Sequence, residues 1–120
     1  GGVHPISGGD TNITGIIKIN GELPIQYQLY QNYPNPFNPK TRIKYQITSN
    51  VKRETSNVKL IVFDITGREI SILVNAEQNA GTFLIDWNAS AYSSGIYFYK
   101  LTVTTGKEVF AETKKMLLIK

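Results

Sequence analysis

The sequence predicts an all-β fold, an immunoglobulin-like β-sandwich of about seven antiparallel strands, and three observations support this prediction. Short segments alternate apolar and polar residues, which is the period of a half-buried strand. Clusters of turn residues separate these segments at intervals of about ten residues. No helical periodicity of useful length is present, and 120 residues are enough for one domain with a modest core.

The first 24 residues differ from the rest because glycine and proline interrupt them repeatedly. We interpret residues 1–24 as a linker or an exchangeable edge strand, and residues 25–120 as the folded domain. One short extended segment lies within the first part, and its strand-exchange candidates are Thr14, Ile16, Ile17 and Ile19. The first residue is glycine rather than methionine, so we expect a processed product or an excised fragment.

Alternation predicts the first two strands, Ile25–Tyr30 and Thr41–Thr48. Between them three prolines fix their own φ angles and disfavour helix in the preceding residues, which predicts a stiff corner. The residues of this predicted corner are Pro34, Asn35, Pro36, Phe37, Asn38 and Pro39. Val58–Ile65 is apolar at nearly every position, which predicts a central strand covered on both faces.

Glycine marks the turns that lead into later strands. Gly67 and Gly95 are the residues that tolerate positive φ in these turns. Glu69–Val74 is predicted as a strand, with a one-turn helix as the competing interpretation. The last three predicted strands are Thr82–Trp87, Ile96–Thr104 and Glu108–Lys120.

The sequence offers little catalytic or metal-binding chemistry. It has no cysteine, which excludes disulfides and thiolate ligands, and its one histidine, His4, lies in a segment that cannot fix its geometry. We interpret Asp64 and Asp86 as turn or strand-end residues, although spacing alone does not exclude a carboxylate pair for glycoside hydrolysis. We therefore expect no enzyme activity, no cofactor and no metal.

Charge and hydropathy limit the partners. The net charge of +4 is carried by scattered basic residues, which favours simple solvation over nucleic-acid binding. No apolar run approaches the roughly 20 residues of a membrane-spanning helix. The aromatic residues Trp87, Tyr97 and Tyr99 would form a sugar-binding platform if exposed, but we favour a place in the core.

Several stretches, in order along the chain, resemble one known family. They are Leu29–Pro39 with Thr41–Tyr45, Val62–Ile70, Asp86–Asn88 with Ser94–Leu101, and Lys114–Lys120. Together they are similar to the C-terminal sorting domain, type A, of the type IX secretion system, also called the Por secretion system. The resemblance covers roughly Leu23 to Lys120 and leaves the first part of the chain outside it.

The resemblance implies a non-catalytic sorting domain with an immunoglobulin-like fold. Such domains direct proteins across the outer membrane of Bacteroidetes-type bacteria, and the product is secreted or held at the cell surface. The implied partners are the secretion translocon and a surface sortase. The tail, with its lysines flanking an apolar strand, suits recognition by strand addition and charge steering. The recognition residues of this hypothesis are Lys114, Lys115, Met116, Leu117, Leu118, Ile119 and Lys120.

The sequence is also compatible with two other classes of function. One is a structural subunit of an extracellular filament or surface layer, in which the segment Thr14–Ile19 pairs with copies of the same chain. The weaker one is a carbohydrate-binding module that uses exposed aromatic side chains.

Overall fold

The computed structural model describes residues 27–48, 55–106 and 108–120 of the chain. These residues form seven antiparallel strands in two sheets, as the alternation predicts. The strands are β1 (Gln28–Leu29), β2 (Lys40–Ile47), β3 (Ser56–Phe63), β4 (Glu69–Gln78), β5 (Gly81–Asn88), β6 (Gly95–Thr104) and β7 (Val109–Leu118). Helices are absent from these residues, so they include no apolar helix long enough to cross a membrane.

The two sheets have three and four strands, in the orders β1-β2-β5 and β4-β3-β6-β7. In constant-type immunoglobulin domains the fourth strand joins the sheet of the first, second and fifth strands. Here β4 instead pairs with β3 along nearly its whole length. β7 pairs with β6 over ten residues and forms one edge of the larger sheet.

The core lies between the sheets and takes alternate side chains from most strands. On β2, Ile43, Tyr45 and Ile47 are at most 1% exposed, and this is the face that the alternation predicts. The opposite face of β2 carries Arg42, which is exposed, and Lys44, which is partly exposed. One side of each sheet therefore drives folding through burial, while the other side stays in contact with solvent.

Trp87 lies in an aromatic cluster at one end of the core. The ring centroids of Phe37, Tyr92 and Tyr97 lie 5.8, 5.7 and 6.1 Å from that of Trp87. Trp87, Tyr97 and Tyr99 are at most 8% exposed. The alternative of a sugar-binding platform built from these three rings is therefore wrong, and they belong to the core.

Two strands differ from the sequence prediction. β3 is not covered on both faces, because Lys59 is exposed and Ile61 and Phe63 are only partly buried. On this outer face of the sheet, Ile61 and Phe63 are partly shielded by neighbouring side chains, and no third layer of structure in the described residues covers them. β4 is a strand rather than a helix and extends to Gln78, four residues beyond the predicted end at Val74. Two irregularities in its register against β3 disturb the simple alternation.

Some predictions fall on residues outside the described ranges. These are the strand-exchange segment Thr14–Ile19, the boundary between residues 24 and 25, and the start of the first strand at Ile25. The described part of that strand is short: its ladder with β2 comprises Gln28 and Leu29, and the Tyr30 N–H donates to the carbonyl of Lys44 over 3.0 Å.

Candidate functional site

The candidate site consists of two segments that are far apart in sequence, the proline corner (residues 34–39) and the tail (residues 114–120). Backbone hydrogen bonds join them. The Phe37 N–H donates to the carbonyl of Leu117 over 3.0 Å, and the Ile119 N–H donates to the carbonyl of Phe37 over 3.0 Å. The Leu117 N–H donates to Oδ1 of Asn35, also over 3.0 Å. The outer edge of the tail is thus already paired within the chain.

Side chains of the tail alternate between the core and the surface. Met116 and Leu118 are at most 1% exposed, and Phe37 from the corner is 2% exposed and packs beside Trp87. Leu117 and Ile119 point outward and are 36% and 49% exposed. The tail therefore contributes core residues on one side and two exposed aliphatic side chains on the other.

A buried polar cluster holds the corner in shape. The Asn32 amide donates to the carbonyl of Pro34 over 3.1 Å and to the hydroxyl of Thr41 over 2.9 Å. The Thr41 hydroxyl in turn donates to the same Pro34 carbonyl over 2.9 Å. Asn32 and Thr41 are only 2% and 4% exposed. Because buried polar groups need partners, this cluster specifies one path for the chain through the corner.

Tyr99 ties this corner to the opposite sheet. Its hydroxyl donates to the carbonyl of Tyr30 over 2.7 Å and accepts a bond from the N–H of Asn32 over 2.8 Å. The ring is fully buried, and this burial raises the pKa of Tyr99 to about 12. A single side chain on β6 thus satisfies two backbone groups of the segment that leads into the corner.

Lys120 is held at the same end of the molecule. Its N–H donates to the hydroxyl of Ser94 over 2.9 Å, and its ammonium donates to the carbonyls of Ser90 and Tyr92, both over 2.8 Å. Gly95, which follows Ser94 and opens β6, has a φ of 155°. The last residue of the tail is therefore anchored to the β5–β6 connection.

The turn between β3 and β4 is a separate feature. Gly67 has a φ of 89°, and its N–H donates to the carbonyl of Asp64 over 2.9 Å. The Asp64 carboxylate accepts bonds from the Thr66 hydroxyl and N–H and from the Arg68 N–H. These bonds, chiefly that from the Thr66 hydroxyl, lower the pKa of Asp64. The carboxylate stabilises the turn, as the sequence interpretation proposes.

Asp86 has a comparable partner on the surface of the smaller sheet. Its carboxylate accepts a bond from Nε of Arg42 over 2.7 Å. This hydrogen bond, together with the attraction of the guanidinium, lowers the pKa of Asp86 and raises that of Arg42. The described residues contain no group of three or more histidine, cysteine or acidic side chains that could hold a metal ion.

The structure brings together most of the residues that the sequence singled out. The corner and the tail form one unit, which we call the corner–tail unit, whereas Gly67 lies in the β3–β4 turn. Asn38 is exposed, and the carbonyl of Pro39 accepts a bond from the Ala89 N–H over 2.8 Å. Sequence reasoning did not identify Asn32, Thr41 and Tyr99 as residues that hold the corner in place. Burial is the signal that finds them, because a buried polar side chain needs a hydrogen-bond partner.

One comparison with known proteins identifies the family of the chain. The model of the family described as the secretion system C-terminal sorting domain matches residues 31–119, which is well over half of the chain. The chain belongs to this family. No curated protein and no solved structure matches it. The matched span begins just before the proline corner and includes every tail residue except Lys120.

Membership confirms the resemblance seen in the sequence. The sorting domain is a C-terminal signal for type IX secretion, and it marks proteins that are exported to the cell surface or secreted. Members of the family are in general non-catalytic and interact with the secretion system. The corner–tail unit is a candidate surface for this interaction.

Proposed function

We propose that the secretion translocon recognises the corner–tail unit of this sorting domain as a folded surface. The observation that carries this proposal is the pairing of the tail edge with the corner, through Phe37 and Asn35. A strand can add only to an edge whose N–H and carbonyl groups are free. Strand addition along Lys115–Ile119, the mode that the sequence suggested, would therefore require the corner to be displaced first.

The outward side of the tail has the composition of a contact surface. Leu117 and Ile119 place two aliphatic side chains beside the charged and exposed Lys115. Next to them is a shallow cavity of about 280 Å³, and its wall includes Pro36 and Ile96. An apolar centre with a cationic rim suits a partner that buries aliphatic groups and presents an acidic margin.

Under this proposal the chain itself performs no reaction. It presents a surface to the translocon, and a surface sortase acts later as a second partner. Lys120 and Gly95 help to hold the end of the tail in place. Substitutions at these two residues would therefore affect recognition indirectly, by shifting Leu117 and Ile119.

The test uses a reporter fused in front of the chain in a host that has the secretion system. We expect the double variant Leu117→Ser/Ile119→Ser to reduce surface delivery of the reporter by about tenfold or more, the loss that follows from removing roughly 1.4 kcal/mol of contact energy. The matched control is Val109→Ser, because Val109 is 68% exposed on the same strand but lies far from the corner. Surface fluorescence and the thermal unfolding of each purified variant would be measured.

The outcome that contradicts the proposal is normal delivery of the double variant. An equal loss for Val109→Ser would also contradict it, since the effect would then not depend on the corner–tail unit. Deletion of Lys114–Lys120 is less informative, because it also removes the buried Met116 and Leu118 and would unfold the sandwich. Substitutions limited to exposed side chains avoid this difficulty.

A further inference from the structure

A second concave surface lies on the outer face of the β1-β2-β5 sheet. It is a groove of about 580 Å³, and Tyr33, Lys40, Arg42, Asp86 and Asn88 contribute to its walls. This volume is within the range of about 300–1,000 Å³ that is typical of small-ligand sites. The outward-facing tail residues Leu117 and Ile119 do not line it.

Strand register explains why these side chains meet. Tyr33 and Arg42 exchange two backbone hydrogen bonds of 2.9 Å, so that they are directly opposite each other. Arg42 is also opposite Asp86 on β5, and Lys40 is opposite Asn88. Residues opposite each other in an antiparallel pair point to the same face of a sheet. Two adjacent cross-strand rows therefore place an aromatic ring, two cations, a carboxylate and an amide on one surface.

Tyr33 is the most exposed large apolar side chain in the described part of the chain, at 81%. Its backbone already completes the corner, so the ring is not needed for that contact. A single exposed aromatic residue is ordinary on a protein surface. What distinguishes Tyr33 is its position in a groove where an aromatic ring lies beside a few polar groups, and such groups fix the orientation of a bound ligand.

The polar groups of the groove retain bonding capacity. Arg42 gives Nε to Asp86 at 2.7 Å and has a longer contact of 3.4 Å from Nη2 to the same carboxylate. A guanidinium has five N–H donors, so at least three of them can still bind a ligand carboxylate. Asp86 provides oxygen acceptors for neutral hydroxyl groups. Asn88 provides amide donors, while its Oδ1 already accepts a bond from the Ser90 N–H over 2.9 Å.

We propose that this groove binds an acidic saccharide, such as a uronate unit of a polysaccharide. In this arrangement the Tyr33 ring packs against the C–H face of the sugar, Arg42 and Lys40 bind its carboxylate, and Asp86 and Asn88 bind its hydroxyls. A single-stranded nucleic acid would also meet cations and an aromatic ring here. It is disfavoured because its sugar–phosphate backbone offers few hydroxyl donors to the Asp86 carboxylate, whereas each unit of a polyuronate carries hydroxyls that can donate to it.

The experiment measures binding of the whole purified chain to polygalacturonate oligomers by calorimetry. Neutral dextran oligomers and a single-stranded oligothymidylate serve as comparison ligands. We expect a measurable affinity for polygalacturonate alone, reduced by about tenfold or more in Tyr33→Ala and in Arg42→Gln. Tyr33→Phe keeps the aromatic ring and should retain most of the affinity.

Arg68→Gln is the matched control for the arginine variant. Arg68 is also an exposed arginine paired with a carboxylate, at 3.3 Å from Asp64, but it lies in the β3–β4 turn. We expect this variant to bind like the native chain. The proposal is overturned if polygalacturonate does not bind, if Tyr33→Ala and Arg42→Gln bind it as the native chain does, or if the oligothymidylate binds more tightly than the uronate. Each of these outcomes leaves the translocon proposal untouched, since that proposal depends on Leu117 and Ile119.

Discussion

The two halves of β7 illustrate two different ways of protecting the edge of a sheet. Both halves pair with β6 on one side. In the second half, from Lys115 onward, the corner and Gln31 also bond to the other side. In the first half, residues 109–114, the described residues make no hydrogen bond to the outer edge. The inward side chains follow the same division, because Met116 and Leu118 are buried whereas Phe110, Glu112 and Lys114 are partly exposed.

The first half has a different protection against unwanted pairing. Glu112 and Lys114 occupy inward-facing positions and form an ion pair at 3.4 Å. Inward-pointing charges on an edge strand discourage the approach of another strand, because pairing would bury them. The second half carries no inward charge and depends on the corner instead. The proline corner is therefore needed to complete the tail, and the two family motifs act as one structural unit.

Removing the Phe37 side chain should cause the largest loss of stability, because it acts on the second half of β7 and not on the first. We expect Phe37→Ala to lower the free energy of unfolding by about 3–5 kcal/mol, because it leaves a cavity beside Trp87 and loosens the corner. Denaturant unfolding followed by Trp87 fluorescence measures this change. The control is Val109→Ala in the first half, for which we expect a change within about 0.5 kcal/mol. Similar losses in the two variants would show that the halves do not differ as described.

The Tyr99 hydroxyl offers a smaller perturbation of the same unit. We expect Tyr99→Phe to cost about 1–3 kcal/mol at neutral pH, because the Tyr30 carbonyl and the Asn32 N–H lose their partner. The pKa of Tyr99 is raised to about 12 in the folded chain, chiefly by burial. Its contribution is therefore complete below its unfolded pKa of about 10 and is lost as the pH rises towards 12.

Unfolding measured between pH 8 and pH 12 tests the sign of this effect. The native chain should lose stability above about pH 10, and Tyr99→Phe should lose less over the same interval. Tyr45 also has a pKa raised to about 12 by burial, so some alkaline loss should persist in the variant. A variant with an unchanged alkaline loss would mean that Tyr99 does not hold the corner through its hydroxyl.

Sequence alone predicted the strands better than the site. Alternation along β2 and a positive-φ glycine at Gly67 are local signals, and they determine local structure without knowledge of the rest of the fold. The pairing of Phe37 with the tail joins residues about 80 positions apart, and no local pattern encodes such a contact. The wrong interpretation of β3 has a similar origin, because Ile61 and Phe63 are equally apolar whether a third layer covers them or not.

The smallest expected effect is that of removing the Asn35 side chain, which bonds to the Leu117 amide. Asn35 accepts this hydrogen bond through Oδ1, and we expect Asn35→Ala to cost about 0.5–1.5 kcal/mol. Amide hydrogen exchange is the sharper measurement, since the Leu117 amide should exchange about tenfold faster in the variant while the Ile119 amide keeps its bond to Phe37. In the native chain both amides should exchange more slowly than the outward-facing amides of Ala111 and Thr113.

The matched control for this measurement is Asn38→Ala in the same corner. Asn38 is exposed, and its side chain makes no hydrogen bond within the described part of the chain, so exchange at Leu117 should not change. Fast exchange of Leu117 in the native chain would contradict the pairing of the tail with the corner. Slow exchange there, with fast exchange at Ala111, would instead show that β7 changes from an open edge to a covered one within a single strand. Such a change would restrict strand addition in the folded domain to its first half.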